Sequence, residues 1–273
     1  FTDAGFEVVV VNPIQSGALK NINVRKVKND RVDAYRIAML HRLKVLRPSQ
    51  IPTSSLRGLR LLTRQRSELK SDVARFKNRM TAYLDQIFPG YGEVFSDVGG
   101  SASRAVLHMC PTPEELLNAD GSLLAKAICE AGNKGPKFGA EKAAKLREAA
   151  GSAQVIGVRS ASNASLIKNV LDIIEGLLAA IQRIEREIKE LVTQDTRLDE
   201  DVKLLCSIPG IGFSSAVVIA AEMGNISLFR KPKQLAAYFG LDPGERQSGT
   251  FKGRKNKLSK RGSPQVRAAL HMA

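Results

Sequence analysis

The sequence predicts a mainly α-helical protein that begins inside an α/β domain. From residue 54 onward the apolar residues recur at helical spacing over long stretches. One short apolar run, Val8 to Val11, has the continuous character of a strand buried on both faces of a parallel sheet. One strand cannot make a sheet, and Gly5 marks the end of a helix that has no beginning. We therefore expect a fragment of a longer protein, with strand confined to the neighbourhood of residues 8–11.

The charge balance points to a polyanionic partner. The 273 residues include 42 Lys and Arg against 27 Asp and Glu, a net charge of +15. Such an excess favours nucleic acid over an anionic membrane surface. No stretch approaches the roughly 20 apolar residues of a membrane span, and no signal peptide is visible. Trp is absent and aromatic residues make up 5% of the chain, which disfavours single-strand binding by stacked rings.

The cysteines and histidines predict no metal site. Cys110, Cys129 and Cys206 lie far apart, and the three histidines are equally scattered. His108 and Cys110 form a short pair, but no second pair follows at the spacing that a structural zinc ion requires. Free thiols of this kind fit a reducing cytoplasm.

A first helix should start near residue 30 and continue to about Leu43. Asn29 or Asp30 is its N-cap, and Asp30 and Asp33 project from nearly the same side of the first turn. Two interpretations stay open. The acids either cap the helix and favour its dipole, or they help to hold a divalent cation, because oxygen ligands suit Mg²⁺. The spacing alone favours capping.

Two long helices should follow. The first runs from Ser54 to Ile87 and ends at Pro89-Gly90, and the one-sided charge of its polar face favours a polyanion. That face carries Arg57, Arg60, Arg64, Lys70, Arg75, Lys77 and Arg79. The second carries an apolar heptad seam of Val170, Ile174, Leu177, Ile181, Ile184, Ile188 and Leu191. The seam pairs either with a second chain or with the 54–87 helix, and the sequence does not decide between them.

The stretch IPGIG, residues 208–212, predicts a helix-hairpin-helix. Gly210 and Gly212 make a tight turn between two apolar helices, with Leu204 and Ile208 on one helix face. Such glycines let backbone N–H groups approach a phosphate at a helix N-terminus, without reading base sequence. The alternative is a turn that only packs.

A basic segment closes the chain. A short helix from about Pro232 ends at Gly240, and a last helix runs from Pro264 to His271. Between Glu245 and Arg267 lie eight cations against Glu245 alone: Arg246, Lys252, Arg254, Lys255, Lys257, Lys260, Arg261 and Arg267. Ser248-Gly249 is expected on a loop in this segment. Such a pair is ordinary in a loop, and neither His nor Cys is close in sequence to act as a base for the serine.

Together these residues resemble a known family. The stretches VVVVNP, KNDRVDAYRIA, IPGIG, QLAAYFGLDP, QSG and LSKRGSPQVRAAL occur in this order in the DEDD-type, serine-containing insertion-sequence transposases, relatives of the Piv invertase. The resemblance implies an N-terminal RuvC-like domain of RNase H fold, with four acids that bind Mg²⁺. Asp30 and Asp33 match the last two acids, and the other two should lie upstream of Phe1. Ser248 matches the family's nucleophile, and Gly249 fits a close approach of DNA.

The resemblance also implies an organisation and partners. Residues 1–50 would be the end of the RuvC-like domain, 51–200 a helical and coiled-coil region, and 201–273 the serine domain. The partners are DNA at the element ends and target, a bridge RNA as in several members, and further copies of the chain through the coiled coil, in a prokaryotic cytoplasm at the nucleoid. We expect nucleic acid to bind Gly210, Gly212, Arg246, Gly249, Lys252, Arg254, Lys255, Lys257, Lys260 and Arg261. The competing hypotheses are a non-catalytic nucleic-acid-binding module, an RNA-binding scaffold and an inactive transposase remnant.

Overall fold

The computed structural model describes residues 4–6, 10, 29–44, 53–244, 247–248, 251–252 and 257–273, the two short pairs by backbone alone. The chain divides into two compact units, Phe1–Arg57 and Gly58–Ala273. The predicted strand at Val8 to Val11 lies outside the described residues except for Val10, which is not in a strand. The RuvC-like remnant and the three domain boundaries therefore stay predictions.

In the first unit the described structure is helix α1, Asp30–Arg42. Asn29 is its N-cap, because the Asn29 side chain accepts a hydrogen bond of 2.8 Å from the Val32 N–H. Asp30 and Asp33 lie in the first turn, where the helix dipole favours negative charge. On this helix Arg36 and Leu40 are buried.

The second unit is mainly helical, as predicted, and holds all but the first turn of helix α2, Ser54–Ile87. The helices that follow are α3 Tyr91–Val94, α4 Ser101–Met109, α5 Pro113–Asn118, α6 Gly121–Gly132, α7 Pro136–Ile156, α8 Asn163–Gln194, α9 Thr196–Cys206, α10 Phe213–Met223, α11 Pro232–Tyr238 and α12 Pro264–Met272. A 3-10 turn spans Ile226–Leu228. Two strands, β1 Gln247–Ser248 and β2 Phe251–Lys252, form an antiparallel pair. The expectation of strand only near residues 8–11 is wrong.

Helices α2 and α8 run antiparallel. At one end Leu84 shares an apolar core with Ile167 and Leu171, and at the other Arg66 Nε lies 2.7 Å from Glu185 Oε1. Five of the seven seam residues of α8 are buried: Val170, Ile174, Ile181, Ile184 and Ile188. The seam therefore packs within the chain, which is one of the two alternatives. Its burial needs no second copy.

Helices α3 to α7, of 4 to 21 residues, pack beside this pair. Phe88, Tyr91, Leu116, Leu124 and Ile128 are fully buried in the same core as the end of α2. Among the described residues no helix is long and apolar enough to cross a membrane.

The last four helices, α9 to α12, have a smaller core of their own. Ile219 and Met223 of α10 meet Phe239, which follows α11, and Val266 of α12. Because every one of these helices contributes to it, this core determines where the segments between the helices lie. The basic segment leaves the core after Phe239 and returns to it at Val266.

Candidate nucleic-acid interface and active site

Ser248 lies on a β-hairpin and not on a plain loop. Pro243 and Leu258 form an antiparallel bridge, and the Gly244 N–H donates to the Lys257 carbonyl at 2.8 Å. Further out, Ser248 is the last residue of β1 and pairs with Phe251 of β2, so two residues connect the strands. Ser248 therefore belongs to the outer of the two described strand pairings in this segment. The Ser248 side chain is not among the described groups.

The base of the hairpin is held against the end of α11. The Ser259 N–H donates to the Asp242 carbonyl at 2.8 Å, and the Lys260 N–H donates to the Gly240 carbonyl at 3.1 Å. A Cβ atom on Gly240 would lie 2.6 Å from the Arg261 nitrogen, so the two segments meet at a distance that only glycine permits. Lys260 has φ +53°, a left-handed conformation that is uncommon outside glycine.

The described cations of this segment divide into two kinds. Lys257, Lys260 and Arg261 are exposed and form no ion pair with any described residue. Arg267 is structural, because its Nη1 donates to the carbonyls of Phe239 at 3.0 Å and Gly262 at 2.7 Å. Outside the described residues, or with undescribed side chains, lie Arg246, Gly249, Lys252, Arg254 and Lys255.

The two glycines of the predicted helix-hairpin-helix differ. Gly210 has φ +92°, and a Cβ atom there would lie 2.5 Å from the Ala273 carbonyl oxygen. Gly212 is the N-cap of α10 without a side-chain capping bond, and a Cβ atom there would meet nothing within 4 Å. Only Gly212 thus leaves open space for a ligand. Leu204 and Ile208 are exposed, and the phosphate-binding role of this turn stays a prediction.

Several cations on the basic face of α2 form hydrogen bonds or ion pairs with other groups of the protein. Arg60 donates to the Ala221 carbonyl through Nε at 3.1 Å and Nη2 at 2.9 Å, and Arg64 binds both carboxylate oxygens of Glu222, at 2.8 and 3.0 Å. The Glu222 side chain is 5% exposed, and its hydrogen bond raises the pKa of Arg64. The prediction that this whole face serves a polyanion is therefore wrong at Arg60 and Arg64.

Two further cations of that face are also paired. Arg75 lies 2.9 Å from Asp72, and Lys77 lies 2.7 Å from Asp97. Asp72 is three residues from Arg75 along the chain, whereas Asp97 is 20 residues from Lys77, so no local sequence pattern indicates the second pair.

The two acids that the sequence analysis assigned to a metal ion, Asp30 and Asp33, lie in the first turn of α1. Asp30 is exposed, and Asp33 Oδ1 accepts a hydrogen bond of 3.0 Å from Arg36 Nη1. No group of three His, Cys, Asp or Glu side chains suited to a metal ion occurs in the described part of the chain. Two carboxylates supply hard oxygen ligands for Mg²⁺ but not a full set. Asp30 and Asp33 belong to the first unit and Ser248 to the second, so their cooperation in one site stays a prediction.

Comparison with known proteins finds transposases at both ends of the chain. The family model "Transposase IS116/IS110/IS902 family" matches residues 202–273, and a DEDD-type IS110 model described as "Transposase" matches residues 1–89. An insertion element IS116 protein of 44.8 kDa from Streptomyces clavuligerus is 30% identical over 87% of this chain and 57% of its own length.

Two shorter matches carry functional names. A transposase for insertion sequence element IS1111A of Coxiella burnetii is 35% identical over 33% of this chain and 24% of its own length. A pilin gene-inverting protein of Moraxella bovis is 31% identical over 34% of this chain and 29% of its own. The chain thus spans less than two thirds of the length of these relatives.

Proposed function

We propose that the chain belongs to the IS116/IS110/IS902 family of transposases and is part of a DNA transposase that cuts and rejoins DNA through Ser248. The observation that carries the proposal is the hairpin between α11 and α12. It ends in the two-residue connection beside Ser248 and has exposed, unpaired cations at its base among the described residues. Lys257, Lys260 and Arg261 would hold the DNA backbone while the turn presents Ser248 to a phosphate.

The chemistry conserves bond energy. Ser248 Oγ attacks the phosphorus of a phosphodiester and forms a phosphoserine bond, while the bond from phosphorus to one deoxyribose oxygen breaks. The proton of the serine leaves with a base, and the departing oxygen takes up a proton. Rejoining reverses the exchange and needs no ATP. Cations close to the phosphate stabilise the negative charge that develops on its oxygens.

Asp30 and Asp33 would supply two of the four acidic ligands that the family resemblance implies for Mg²⁺. A bound Mg²⁺ ion supplies positive charge to a phosphate. The described part of the chain supplies two such carboxylates, and Asp33 also accepts a hydrogen bond from Arg36. The family resemblance further supports a guide RNA and assembly of several copies as proposals.

A denaturing gel tests the serine. The full-length transposase of which this chain is proposed to be a part is incubated with labelled duplex DNA of an element end, and a covalent protein–DNA adduct is expected from the wild type. Ser248→Ala should bind DNA equally well and form no adduct, because alanine has no oxygen to attack phosphorus. Ser227→Ala is the matched control, since Ser227 is exposed in the same helical region and should leave the adduct unchanged.

An adduct on the Ser248→Ala protein would show that Ser248 is not the nucleophile. If the wild type binds DNA but forms no adduct with Mg²⁺ present, the non-catalytic nucleic-acid-binding alternative replaces the enzyme.

A further inference from the structure

A second group of unpaired cations lies at the start of α11, outside the segment that carries Ser248. Arg230, Lys231 and Lys233 are exposed and have no ion pair within the described ranges. No acid occurs between Glu222 and Asp242, and the Glu222 carboxylate is buried against Arg64. The positive charge here is therefore not neutralised by its neighbours along the chain.

The backbone that carries these cations is held in place. The Arg230 N–H donates to Gln234 Oε1 at 2.8 Å, and Pro232 occupies the first turn of α11. The Phe229 ring packs on the Tyr238 ring with centroids 5.2 Å apart, which ties the preceding loop to the far end of the helix. A cationic surface that is rigid before binding loses less conformational entropy when it meets a ligand.

One face of α11 is open between two cationic ends. Gln234, Ala237 and Tyr238 follow the i, i+3, i+4 spacing of one helix face, and all three are exposed. The opposite side carries Leu235, which packs on the small core. The seven residues of α11 span about 10 Å. Just beyond the end of the helix, the Lys260 N–H donates a hydrogen bond to the Gly240 carbonyl. Cations therefore flank the open face at both ends.

We propose that α11 is a DNA-docking helix, with its open face in the major groove of a duplex. The cations at its two ends would contact the backbones that border the groove. The inference rests on the proposed function, since it takes DNA as the partner, and it adds a contact surface on α11 that adjoins the base of the Ser248 hairpin at Lys260.

Dimensions favour B-form DNA over an RNA duplex. The major groove of B-DNA is about 12 Å wide, which admits a helix, whereas that of an A-form duplex is deep and narrow. Single-strand binding through Tyr238 is disfavoured, because its ring already packs on Phe229 at an interplanar angle of 60° and its hydroxyl donates to the Glu222 carbonyl at 3.3 Å.

A carboxylate placed in the middle of the open face tests the docking. Ala237→Glu should weaken binding of a 30-base-pair DNA duplex about tenfold, because the new charge faces the phosphates. Ala144→Glu is the matched control: it makes the same exchange at an exposed position of α7 and should bind like the wild type. Thermal melting of both variants confirms that each is folded.

A second pair of variants tests the flanking cations at equal net charge. Lys231→Gln with Lys233→Gln should reduce the magnitude of the negative slope of log Kobs against log salt by about 1.8. Lys126→Gln with Lys145→Gln removes two exposed lysines that are paired with Glu130 and Glu141, and it should leave the slope unchanged.

The outcomes separate this inference from the proposed function. Ala237→Glu that binds duplex DNA as tightly as the wild type overturns the docking helix, whatever the adduct assay shows. An RNA duplex of the same sequence that binds equally and loses as much affinity with Ala237→Glu overturns the groove assignment. A wild type that binds no DNA at any salt concentration overturns the proposed function itself.

Discussion

The basic face of α2 and the basic segment after α11 look alike in sequence and differ in the folded protein. On α2, Arg60 and Arg64 bind the end of α10, and Glu222 lies buried between them and the core. After α11, Lys257, Lys260 and Arg261 face solvent without an acidic partner in the part of the chain that the structure describes. A run of cations thus becomes either an internal joint or a binding surface.

The difference lies in which acids the fold brings close. Glu222 is 158 residues from Arg64 along the chain and forms a bidentate pair with it. Just before the basic segment, the Asp242 carboxylate accepts a hydrogen bond from the Ser259 hydroxyl, the Asp242 carbonyl accepts one from the Ser259 N–H, and Asp242 forms no ion pair with a described cation. Charge density along a sequence therefore indicates affinity for a polyanion only where tertiary contacts leave the cations free.

The largest expected effect is on stability, when the ion pairs that join α2 to Glu222 are removed. Glu222→Gln removes a buried charge between two arginines and should lower the free energy of unfolding by roughly 2–3 kcal/mol, less than for a fully buried pair because Arg64 is partly exposed. Urea unfolding followed by circular dichroism measures it. Glu190→Gln, at an exposed position of α8, should change stability by less than about 0.5 kcal/mol. Equal midpoints for the two variants would show that the joint contributes no stability.

A smaller effect separates free from paired cations by salt dependence. Lys257→Gln with Arg261→Gln should reduce the magnitude of the negative slope of log Kobs against log salt for duplex DNA by about 1.8, since two counterion-releasing contacts are lost. Arg75→Gln with Lys77→Gln removes the same charge from residues paired with Asp72 and Asp97, and the slope should stay as in the wild type. Fluorescence anisotropy measures the slopes of both double variants between roughly 50 and 300 mM salt, a range wide enough to resolve them. The same change in slope for the two variants would mean that net charge alone decides binding.

The smallest expected effect is on stability at Lys260, whose φ of +53° is unfavourable for a residue with a Cβ atom. Lys260→Gly should raise the free energy of unfolding by about 0.5 kcal/mol, because relief of the left-handed strain exceeds the added backbone entropy of glycine. Lys260→Gln keeps the strain and removes the charge, so its stability should match the wild type while both variants bind DNA more weakly. Thermal unfolding and anisotropy together measure the pair. Stabilisation by glutamine as well would point to charge repulsion in place of strain.

Local signals in the sequence determined most of the helices. Helix α2 begins and ends where its periodicity predicts, Thr112 caps α5 through the Glu115 N–H, and Ser263 caps α12 through the Val266 N–H. Caps and apolar spacing act within one or two turns, so they can be read without knowing the fold. The same holds for the motifs that identified the family, which are contiguous stretches of the chain.

Only the tertiary structure decided which polar groups are available. The pairing of Arg64 with Glu222, the packing of the α8 seam within the chain, and the hairpin that carries Ser248 all join residues that are distant or lack a strong local propensity. A two-residue strand has no periodicity to detect, and an ion pair across 158 residues leaves no mark on either sequence neighbourhood. The sequence by itself determined the helices and predicted a polyanionic ligand, because these depend on local spacing and net charge. The tertiary structure selected the residues left free to bind it, because pairing and burial depend on contacts in space.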